Sequence, residues 1–363
     1  MSKVEWKKLV LVSDVLYGYP FESSLFSEDS SFMPLIRIRD VKPAKASTYY
    51  TGEFNETYRI RKGDILVGMD GEFNIGKWDD RDGLLNQRVL KIKGKKDSCI
   101  DGFLYHYMGP VFKRIEKETP GGSVKHLSAK VINSIQIPVP TLSEQNRIVG
   151  ILDTFTASID NLKEQIVLRR KQYEYYRDQL LDLEGKEEVD MRKLGDICEI
   201  SAGGDVPKEN FSKEKTVIFN IPIISNGVGI KAIYGYTNTA KIKRTSVTIA
   251  ARGTIGYAEY RDYPFYPVVR LITVYPYDNK LINTKFLYYR LSIQKYNISL
   301  SGIPQLTVPN TKKVVIPLPS LSEQNRIVDI LDKFEASIQN LEAQLSQREK
   351  QYEYYRNKLL TFE

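Results

Sequence analysis

The chain has 363 residues, of which 42% are hydrophobic and 27% charged, which is enough for two or three globular domains and excludes a disordered or fibrous protein. No apolar run approaches the roughly 18 residues of a membrane span, and the first residues lack the layout of a signal peptide, so we expect a cytoplasmic protein without a membrane partner. Two cysteines and two histidines, scattered over about 100 positions, argue against a zinc cluster or a disulfide framework.

The net charge of +8 is unevenly distributed along the chain. Residues 1–140 carry +4 and residues 191–319 carry +10, whereas residues 141–190 carry −4 and residues 320–363 carry −2. Two basic blocks therefore alternate with two mildly acidic blocks. Basic surfaces of this size are typical of proteins that bind a polyanion.

Residues 1–140 are predicted to form a mixed α/β domain. Short runs rich in β-branched residues, such as residues 64–68, are separated by turns that contain Gly, Asn and Asp. Many enzymes and many binding proteins share this pattern, so it indicates only the fold class.

The next block, residues 141–184, is predicted to be one long helix. Its apolar residues recur at alternating spacings of four and three over five heptads, which is typical of a left-handed coiled coil. Thr141 and Glu144 have the spacing of a capping box at the start of the helix, and Gly185 is placed to end it.

Residues 185–319 are predicted to be a linker and a second α/β domain, and residues 320–363 a second helix. This helix repeats the first one: when residues 143–183 are set against residues 322–362, 27 of 41 positions are identical. The two basic blocks retain only weaker echoes of each other, among them Gly71 with Gly253. The chain is therefore an internal repeat in which the helices are preserved and the domains have diverged.

The two helices are predicted to pair with each other in antiparallel orientation. A helix of about 40 residues is about 60 Å long, and a linker of about seven residues spans at most about 25 Å. A parallel pair would require the second domain to bridge the whole helix, whereas an antiparallel pair places the two domains at opposite ends. The expected fold is two α/β domains separated by a long antiparallel two-helix coiled coil, a dumbbell with a pseudo-two-fold axis.

No catalytic motif is recognisable in the sequence. Residues 71–77 have the spacing of a nucleotide-binding P-loop, but Trp78 follows where a Ser or Thr hydroxyl would hold Mg²⁺. Neither histidine has a companion cysteine or serine motif, and the tetrapeptide with which amino-methyltransferases hold the target amine is missing. We therefore expect a protein that is not an enzyme and that itself binds no metal or cofactor.

Three sets of residues point to a known protein family. They are the paired helix entries at 140–149 and 319–328, the Lys-Gln-Tyr-Glu-Tyr-Tyr-Arg segments at 171–177 and 350–356, and Ala-Arg-Gly-Thr-Ile-Gly at 251–256. Over essentially its whole length the chain resembles the DNA-specificity subunits of type I restriction-modification systems. The first domain departs from the last of these motifs, with Gly-Met-Asp-Gly-Glu-Phe at 68–73.

The resemblance implies two target-recognition domains, each of which reads one half of a split double-stranded DNA site, and helices that form the spacer and bind two methyltransferase subunits. It also implies restriction subunits as further partners, and it assigns S-adenosylmethionine, ATP and Mg²⁺ to the partner subunits. The assembled complex would methylate adenine at N6 and cleave DNA with ATP, whereas this chain would only recognise DNA. Two unlike basic domains held a fixed distance apart are suited to such a split target.

Candidate DNA contacts occur at several places in the first domain. Arg37 and Arg39 alternate with aliphatic residues, so they are predicted to share one face of a strand, either as DNA contacts or as a solvated edge. Amide and guanidinium groups can make the bidentate contacts with adenine and guanine that sequence readout needs. Further candidates lie in two predicted turns: Asn74, Lys77, Trp78, Gln87 and Arg88.

Comparable loops of the second domain hold another set of candidates. Arg252 is the foremost of them, because the adjoining Gly253 belongs to a turn in which the backbone can approach DNA closely. A salt bridge that stabilises the turn is the alternative role for Arg252. The other candidates are Asn226, Lys231, Thr254, Arg270 and Gln305.

Four positions on the helices are candidates for binding a partner. Ile151 and Ile330 widen the apolar stripe beyond what a two-helix seam requires, although packing against the chain's own domains is an alternative. Tyr175 and Tyr354 lie off the seam in a composition that is enriched at interfaces. Because each pair is repeated, we expect two copies of any partner that binds there.

Two other functions stay open from the residues alone: a coiled-coil scaffold that joins proteins, and a protein that binds structured RNA. The charge of the second basic block argues against a pure scaffold, whose interaction with duplex DNA would not depend steeply on salt. Competition between A-form RNA and duplex DNA would expose a protein that binds RNA.

Overall fold

The computed structural model describes residues 4–119, 125–296 and 304–362. The chain divides into two compact units: unit 1 comprises Met1–Lys163 and Ala343–Glu363, and unit 2 comprises Glu164–Glu342. Each unit therefore combines one α/β domain with one half of each long helix.

Unit 1 contains eleven short strands among its described residues. They are β1 (Glu5–Lys8), β2 (Ser13–Tyr17), β3 (Phe26–Ser27), β4 (Met33–Ile36), β5 (Tyr49–Tyr50), β6 (Arg59–Ile60), β7 (Ile65–Gly68), β8 (Ile75–Lys77), β9 (Gly83–Leu85), β10 (Val89–Gly94) and β11 (Gln136–Val139). The helices are α1 (Leu9–Val12), α2 (Ile38–Val41), α3 (Asp101–Glu118), α4 (Ala129–Ser134) and α5 (Leu142–Leu181), the last of which continues into unit 2. Two short 3-10 helices, Ser23–Leu25 and Glu56–Tyr58, lie between strands.

Three sheets build the domain of unit 1. An antiparallel sheet has the order β2-β10-β7-β8, a mixed sheet has the order β3-β5-β4-β9-β6, and β1 pairs with β11. In β7, Ile65 and Val67 pack in the core that α3 covers, while Leu66 packs in a second core around Trp78. Because both faces of β7 are buried, its sequence is a continuous apolar run and does not alternate.

Unit 2 repeats this plan with fewer elements. Its strands are β12 (Asp190–Lys193), β13 (Cys198–Ala202), β14 (Ile221–Ile224), β15 (Ile233–Thr237), β16 (Ser246–Ile249), β17 (Ala258–Arg261), β18 (Tyr266–Pro267), β19 (Ile272–Pro276) and β20 (Val315–Leu318). Its helices are α6 (Leu194–Ile197), α7 (Thr284–Ser292), α8 (Val308–Lys312) and α9 (Leu321–Leu360), with a 3-10 helix at Gly229–Ala232. The end of α9 belongs to unit 1.

Two of the three sheets correspond strand by strand between the units, and the third corresponds in part. The antiparallel sheet of unit 2 has the order β13-β19-β16-β17, which matches β2-β10-β7-β8, and β12 pairs with β20 as β1 pairs with β11. The third sheet, β15-β14-β18, contains a parallel β14-β18 pair that matches β4-β9. The prediction of two related α/β domains is confirmed.

The long helices run antiparallel within unit 1. The ring of Phe155 stacks on that of Tyr355 with centroids 5.3 Å apart, and Lys163 Nζ lies 3.9 Å from Glu349 Oε1. Residue numbers therefore rise along α5 while those of their contacts on α9 fall. Arg348 lies over the ring of Phe155 at 5.8 Å, a cation–π geometry.

The same contacts recur within unit 2. Tyr176 stacks on Phe334 with centroids 5.5 Å apart, Tyr173 donates to Glu335 Oε1 at 3.3 Å, and Arg169 lies over the ring of Phe334 at 5.9 Å. The predicted antiparallel pairing is thus confirmed in each unit. The helix α5 ends at Leu181, before the predicted stop at Gly185.

Candidate nucleic-acid interface

In unit 2, three loops meet at the end of the buried strand β16. The first loop carries Arg252 and then Gly253, whose φ of +70° suits a residue without a side chain. The second is the turn 268–271, closed by a hydrogen bond from the N–H of Leu271 to the carbonyl of Val268 at 3.1 Å. The third loop joins the first through the N–H of Leu306, which donates to the carbonyl of Ala251 at 2.9 Å.

These loops bring together three of the predicted DNA contacts, which we call the Arg252 cluster: Arg252, Arg270 and Gln305. Arg252 donates to Gln305 Oε1 from Nε at 3.2 Å and from Nη2 at 2.8 Å, and Arg270 Nη1 lies 3.5 Å from the same oxygen. One amide oxygen thus holds two guanidinium groups, and Arg270 is exposed. Because a guanidinium carries five N–H donors, most of the donors in the cluster are left for another acceptor.

The turn that carries Arg270 is strained. Val269 and Arg270 have φ of +53° and +60°, a region that residues with a side chain seldom adopt and β-branched residues least of all. Hydrogen bonds hold the turn in place: the N–H of Val269 donates to the carbonyl of Gly204 at 2.9 Å, and the N–H of Arg270 to that of Gly203 at 3.0 Å. Strain that the surroundings over-determine is typical of functional sites.

Asn226 connects the two arginine loops. Its Oδ1 accepts the N–H of Ala251 at 2.7 Å, and its Nδ2 donates to the carbonyl of Val269 at 2.7 Å. Its carbonyl in turn accepts the hydroxyl of Thr254 at 3.3 Å. Asn226 and Thr254, predicted as DNA contacts, therefore have structural partners, whereas Lys231 is exposed on the 3-10 helix.

Unit 1 has a cluster at the equivalent positions, which we call the Asp70 cluster: Asp70, Arg88 and His126. Asp70 Oδ1 lies 2.5 Å from His126 Nδ1, and Asp70 Oδ2 lies 3.2 Å from Arg88 Nε. The adjoining Gly71 has φ of +71°, and the N–H of Leu127 donates to the carbonyl of Met69 at 2.7 Å. Asp70 thus stands where unit 2 has Arg252, Arg88 where it has Arg270, and His126 where it has Gln305.

A glycine lies beneath the arginine turn in both units. A Cβ on Gly18 would come within 2.0 Å of the carbonyl oxygen of Asn86, and one on Gly203 within 2.6 Å of the carbonyl carbon of Pro267. Since no side chain fits at either position, the turn can rest directly on the end of the neighbouring strand.

Arg37 and Arg39 do not share a strand face, so that prediction is wrong. The strand β4 ends at Ile36, Arg37 precedes α2 and Arg39 lies within it. The cause is Asp40, whose carboxylate accepts the N–H of Arg37 at 2.9 Å and so favours a helix start there. Arg37 and Arg39 are nevertheless exposed, and Arg39 donates from Nε to Ser47 Oγ at 2.9 Å.

The predicted loop at 74–78 is mostly strand and core. Trp78 is only 1% exposed and donates from Nε1 to the carbonyl of Arg81 at 2.8 Å, which removes it from the candidates for DNA contact. Lys77 ends β8 and lies 3.5 Å from Asp153, and Asn74 donates to Glu72 Oε2 at 3.1 Å. Gln87, in the turn that precedes Arg88, is exposed. These side chains are not part of the Asp70 cluster.

The predicted partner-binding positions differ in exposure. Tyr175 and Tyr354, which occupy the same place in the two copies of the repeat, are 59% and 60% exposed. Ile151 and Ile330 are half-buried. The two tyrosines therefore offer matched apolar surface, one on each long helix.

Sequence reasoning missed a glutamine that fixes the start of each long helix. Gln145 is fully buried, accepts the N–H of Ile100 at 3.0 Å and donates to the carbonyls of Ser98 and Pro140 at 2.8 and 2.9 Å. Gln324 accepts the N–H of Asn283 at 2.8 Å and donates to the carbonyls of Leu281 and Pro319 at 3.1 and 2.9 Å. Polar identity between the two copies of the repeat was the available signal.

An aspartate on each long helix likewise binds the neighbouring domain helix. Asp153 Oδ1 lies 2.7 Å from His106 Nε2 in unit 1, and Asp332 accepts the hydroxyl of Tyr289 at 2.6 Å in unit 2. Burial lowers the pKa of His106, against the opposing effect of the Asp153 carboxylate. Burial also raises the pKa of Glu335, which lies beside Tyr289. The residue that contacts this aspartate is therefore a histidine, His106, in unit 1 and a tyrosine, Tyr289, in unit 2.

Among the described ranges 4–119, 125–296 and 304–362, no helix combines the length and the apolar character that crossing a bilayer requires. The same ranges contain no group of three or more His, Cys, Asp or Glu side chains that could hold a metal ion. Both cysteines, Cys99 and Cys198, are buried and unpaired, and burial raises the pKa of each thiol to about 12.

Comparison with known proteins finds one family. The model of the type I restriction modification DNA specificity domain matches residues 3–168 and 186–349, once for each half of the repeat. A putative type I restriction enzyme specificity subunit of Haemophilus influenzae is 30% identical over an alignment of 396 residues, gaps included, which covers 99% of this chain and 96% of the relative. A putative type I specificity subunit of Mycoplasma pneumoniae is 35% identical over 245 residues, which cover 66% of this chain and 67% of the relative.

A solved structure shares the fold. The S subunit of a type I restriction-modification system from M. genitalium superposes with a TM-score of 0.69 at 17% identity, covering 100% of this chain and 98% of the other.

Proposed function

Because the chain belongs to the family of type I restriction-modification DNA specificity subunits, we propose that its two units each read one half of a split double-stranded DNA target. The chain is the sequence-recognition subunit of such a system, and catalysis lies in other subunits. The observation that carries the proposal is the pair of clusters at equivalent positions with different side chains. Equivalent positions present each cluster to a half-site in the same way, and different side chains make the two half-sites unlike.

Readout in unit 2 would rest on the Arg252 cluster. Arginine donates two parallel hydrogen bonds to O6 and N7 of guanine, the commonest specific contact in the major groove. Gln305 would hold both guanidinium groups in one orientation, and Asn226 would keep the two loops together. Lys231 is suited to a phosphate contact, which positions a protein on DNA without reading sequence.

Readout in unit 1 would rest on Arg88 and the neighbouring Gln87, an amide that can pair with adenine. Arg37 and Arg39, exposed at the start of α2, are suited to phosphate contacts. Lys77 and Asn74 already have partners within unit 1 and contribute less.

Partner subunits would bind the long helices. A solved structure of the type I R-M system includes a chain with this fold, with a TM-score of 0.59 at 18% identity. The matched exposure of Tyr175 and Tyr354, together with the half-buried Ile151 and Ile330, supports two copies of one methyltransferase partner. Restriction subunits would join through that complex, and the partners would bring S-adenosylmethionine, ATP and Mg²⁺.

Mapping of N6-methyladenine in cells with and without this chain tests the proposal. We expect methylation at one two-part sequence to vanish when the chain is deleted and to return with the intact chain. Unchanged methylation would contradict the proposal. In filter binding, steep salt dependence on duplex DNA separates recognition of DNA from a scaffold role, and competition by A-form RNA separates it from an RNA-binding role.

A further inference from the structure

Asp70 of unit 1 and Arg252 of unit 2 lie at equivalent backbone positions and carry opposite charges. Each follows a buried strand and precedes a glycine with φ near +70°, Gly71 or Gly253. The carbonyl just before each, of Met69 or Ala251, accepts an N–H from the loop that carries His126 or Gln305. The sequence difference therefore changes the chemistry of a fixed place.

Each oxygen of the Asp70 carboxylate has a partner within unit 1. One oxygen lies 2.5 Å from His126 Nδ1 and the other 3.2 Å from Arg88 Nε. The Asp70 side chain is 18% exposed, whereas those of Arg88 and His126 are 53% and 47% exposed. Asp70 thus lies behind the two exposed side chains, and it is these that face solvent.

The contact of Asp70 Oδ2 is with Nε of Arg88, so the N–H groups of the two terminal amines remain as donors for another acceptor. A guanidinium held at Nε by a carboxylate loses rotamer freedom before it meets DNA, which lowers the entropic cost of binding. Two terminal donors in a fixed plane match the O6 and N7 acceptors of guanine. In unit 2 the amide oxygen of Gln305 holds the equivalent arginine, Arg270, at 3.5 Å.

We propose that Asp70 is a positioning residue that orients Arg88 to read a guanine in the half-site of unit 1. This inference rests on the proposed function, since it assumes that unit 1 reads DNA. Asp70 then determines specificity without contacting a base, because its carboxylate orients the arginine that does.

The test uses the complete methyltransferase complex containing this chain and a random duplex library whose methylated products are sequenced. Arg88→Ala should reduce the preference for guanine at one base pair about tenfold. Asp70→Ala should reduce the preference at that same base pair by less, and the double variant should be no worse than Arg88→Ala, because the two residues act as one unit. Asp70→Asn, which keeps one acceptor oxygen, should retain part of the preference.

The controls separate this inference from the proposed function. Asp97→Ala, which removes an exposed carboxylate of the same unit, should leave the selected sequence unchanged. An Asp70→Ala effect at a different base pair, an equal loss of affinity for all sequences, or additive losses in the double variant would overturn the positioning role. A wild-type complex without sequence preference would instead overturn the proposed function, and the inference with it.

Discussion

The Asp70 cluster and the Arg252 cluster show what the repeat preserves and what it varies. Both share a glycine turn, a second loop held by a backbone hydrogen bond, and an arginine on a turn that rests on glycine. They differ at the two side chains around that arginine: a carboxylate and an imidazole in unit 1, a guanidinium and an amide in unit 2. The backbone therefore defines a recognition position, and individual side chains define what it recognises.

The largest expected effect comes from removing both arginines of unit 2. The double variant Arg252→Ala/Arg270→Ala should lower discrimination at one half-site about 1,000-fold, or about 4 kcal/mol, because each bidentate contact contributes about 1–3 kcal/mol. Selection from a random duplex library measures it. Recognition of the other half-site and association with the methyltransferase should be unchanged. The control Lys208→Ala should leave recognition of both half-sites unchanged. Loss of both half-sites would break the comparison between the clusters.

Loss of a buried glutamine should affect both units alike. Gln145→Leu and Gln324→Leu each leave two carbonyls and one N–H without their partner, at a cost of about 3 kcal/mol in the free energy of unfolding. Hydrogen exchange resolved by unit measures the loss, with the exposed Asn146→Ala as control. A large cost in only one unit would show that the duplicated motif has diverged in its role.

Transfer of the unit 2 side chains sharpens the comparison further. The double variant Asp70→Arg/His126→Gln recreates the Arg252 cluster around Arg88 in unit 1. We expect about a tenfold gain in guanine preference at one more base pair of the corresponding half-site, since a second guanidinium becomes available. The sequences selected by the variant complex give the result. Selection of the original half-site without any added guanine preference would show that the two positions are not interchangeable.

The helix tyrosines should respond equally to substitution. Tyr175→Ser and Tyr354→Ser should each weaken binding of the methyltransferase by about 1 kcal/mol, since exposed tyrosines are frequent anchors at interfaces. Titration calorimetry measures the affinity, and native mass spectrometry counts two partner copies in the wild-type complex. Unequal effects would mean that only one helix carries a partner.

Acidification should give the smallest difference between the units. The folded pKa of His106 is lowered, so the unfolded chain binds more protons below the ordinary histidine pKa and unit 1 loses stability as the pH falls. The folded pKa of Glu335 is raised, so unit 2 loses stability as the pH rises through that pKa. Protection factors, which correct for the pH dependence of intrinsic amide exchange, should therefore fall in α3 as the pH is lowered through the ordinary histidine pKa and fall in α7 as the pH is raised through the pKa of Glu335. His106→Gln should remove the acid sensitivity of α3.

The long-range architecture was predictable from the sequence because it depends on periodicity and chain length. Heptad spacing predicted both helices, and the short linker predicted their antiparallel pairing. The glycine turn that follows Arg252 marks it as a candidate DNA contact, and the sequence also predicts its structural neighbours Arg270 and Gln305 as candidates. These features are encoded locally or by simple geometry.

The remaining errors arise from contacts that a single sequence does not display. Arg37 and Arg39 fit a strand pattern, but the carboxylate of Asp40 starts a helix there. Trp78 follows a glycine-flanked segment, yet it fills a second core. Asp70 and His126 were not predicted, because the criterion for base contacts favoured guanidinium and amide groups. Setting Gly71 against Gly253 would have placed Asp70 opposite Arg252 before any coordinates were known.

The division of both long helices between the units has a consequence for synthesis. Unit 2 is one continuous stretch, Glu164–Glu342, whereas unit 1 needs both Met1–Lys163 and Ala343–Glu363. During synthesis, unit 2 can fold while unit 1 still lacks Tyr352 and Leu359, which pack against the core of unit 1. The part of the chain that is synthesised first therefore completes its folding last. Truncation of the last twenty residues would impair the folding of the N-terminal domain.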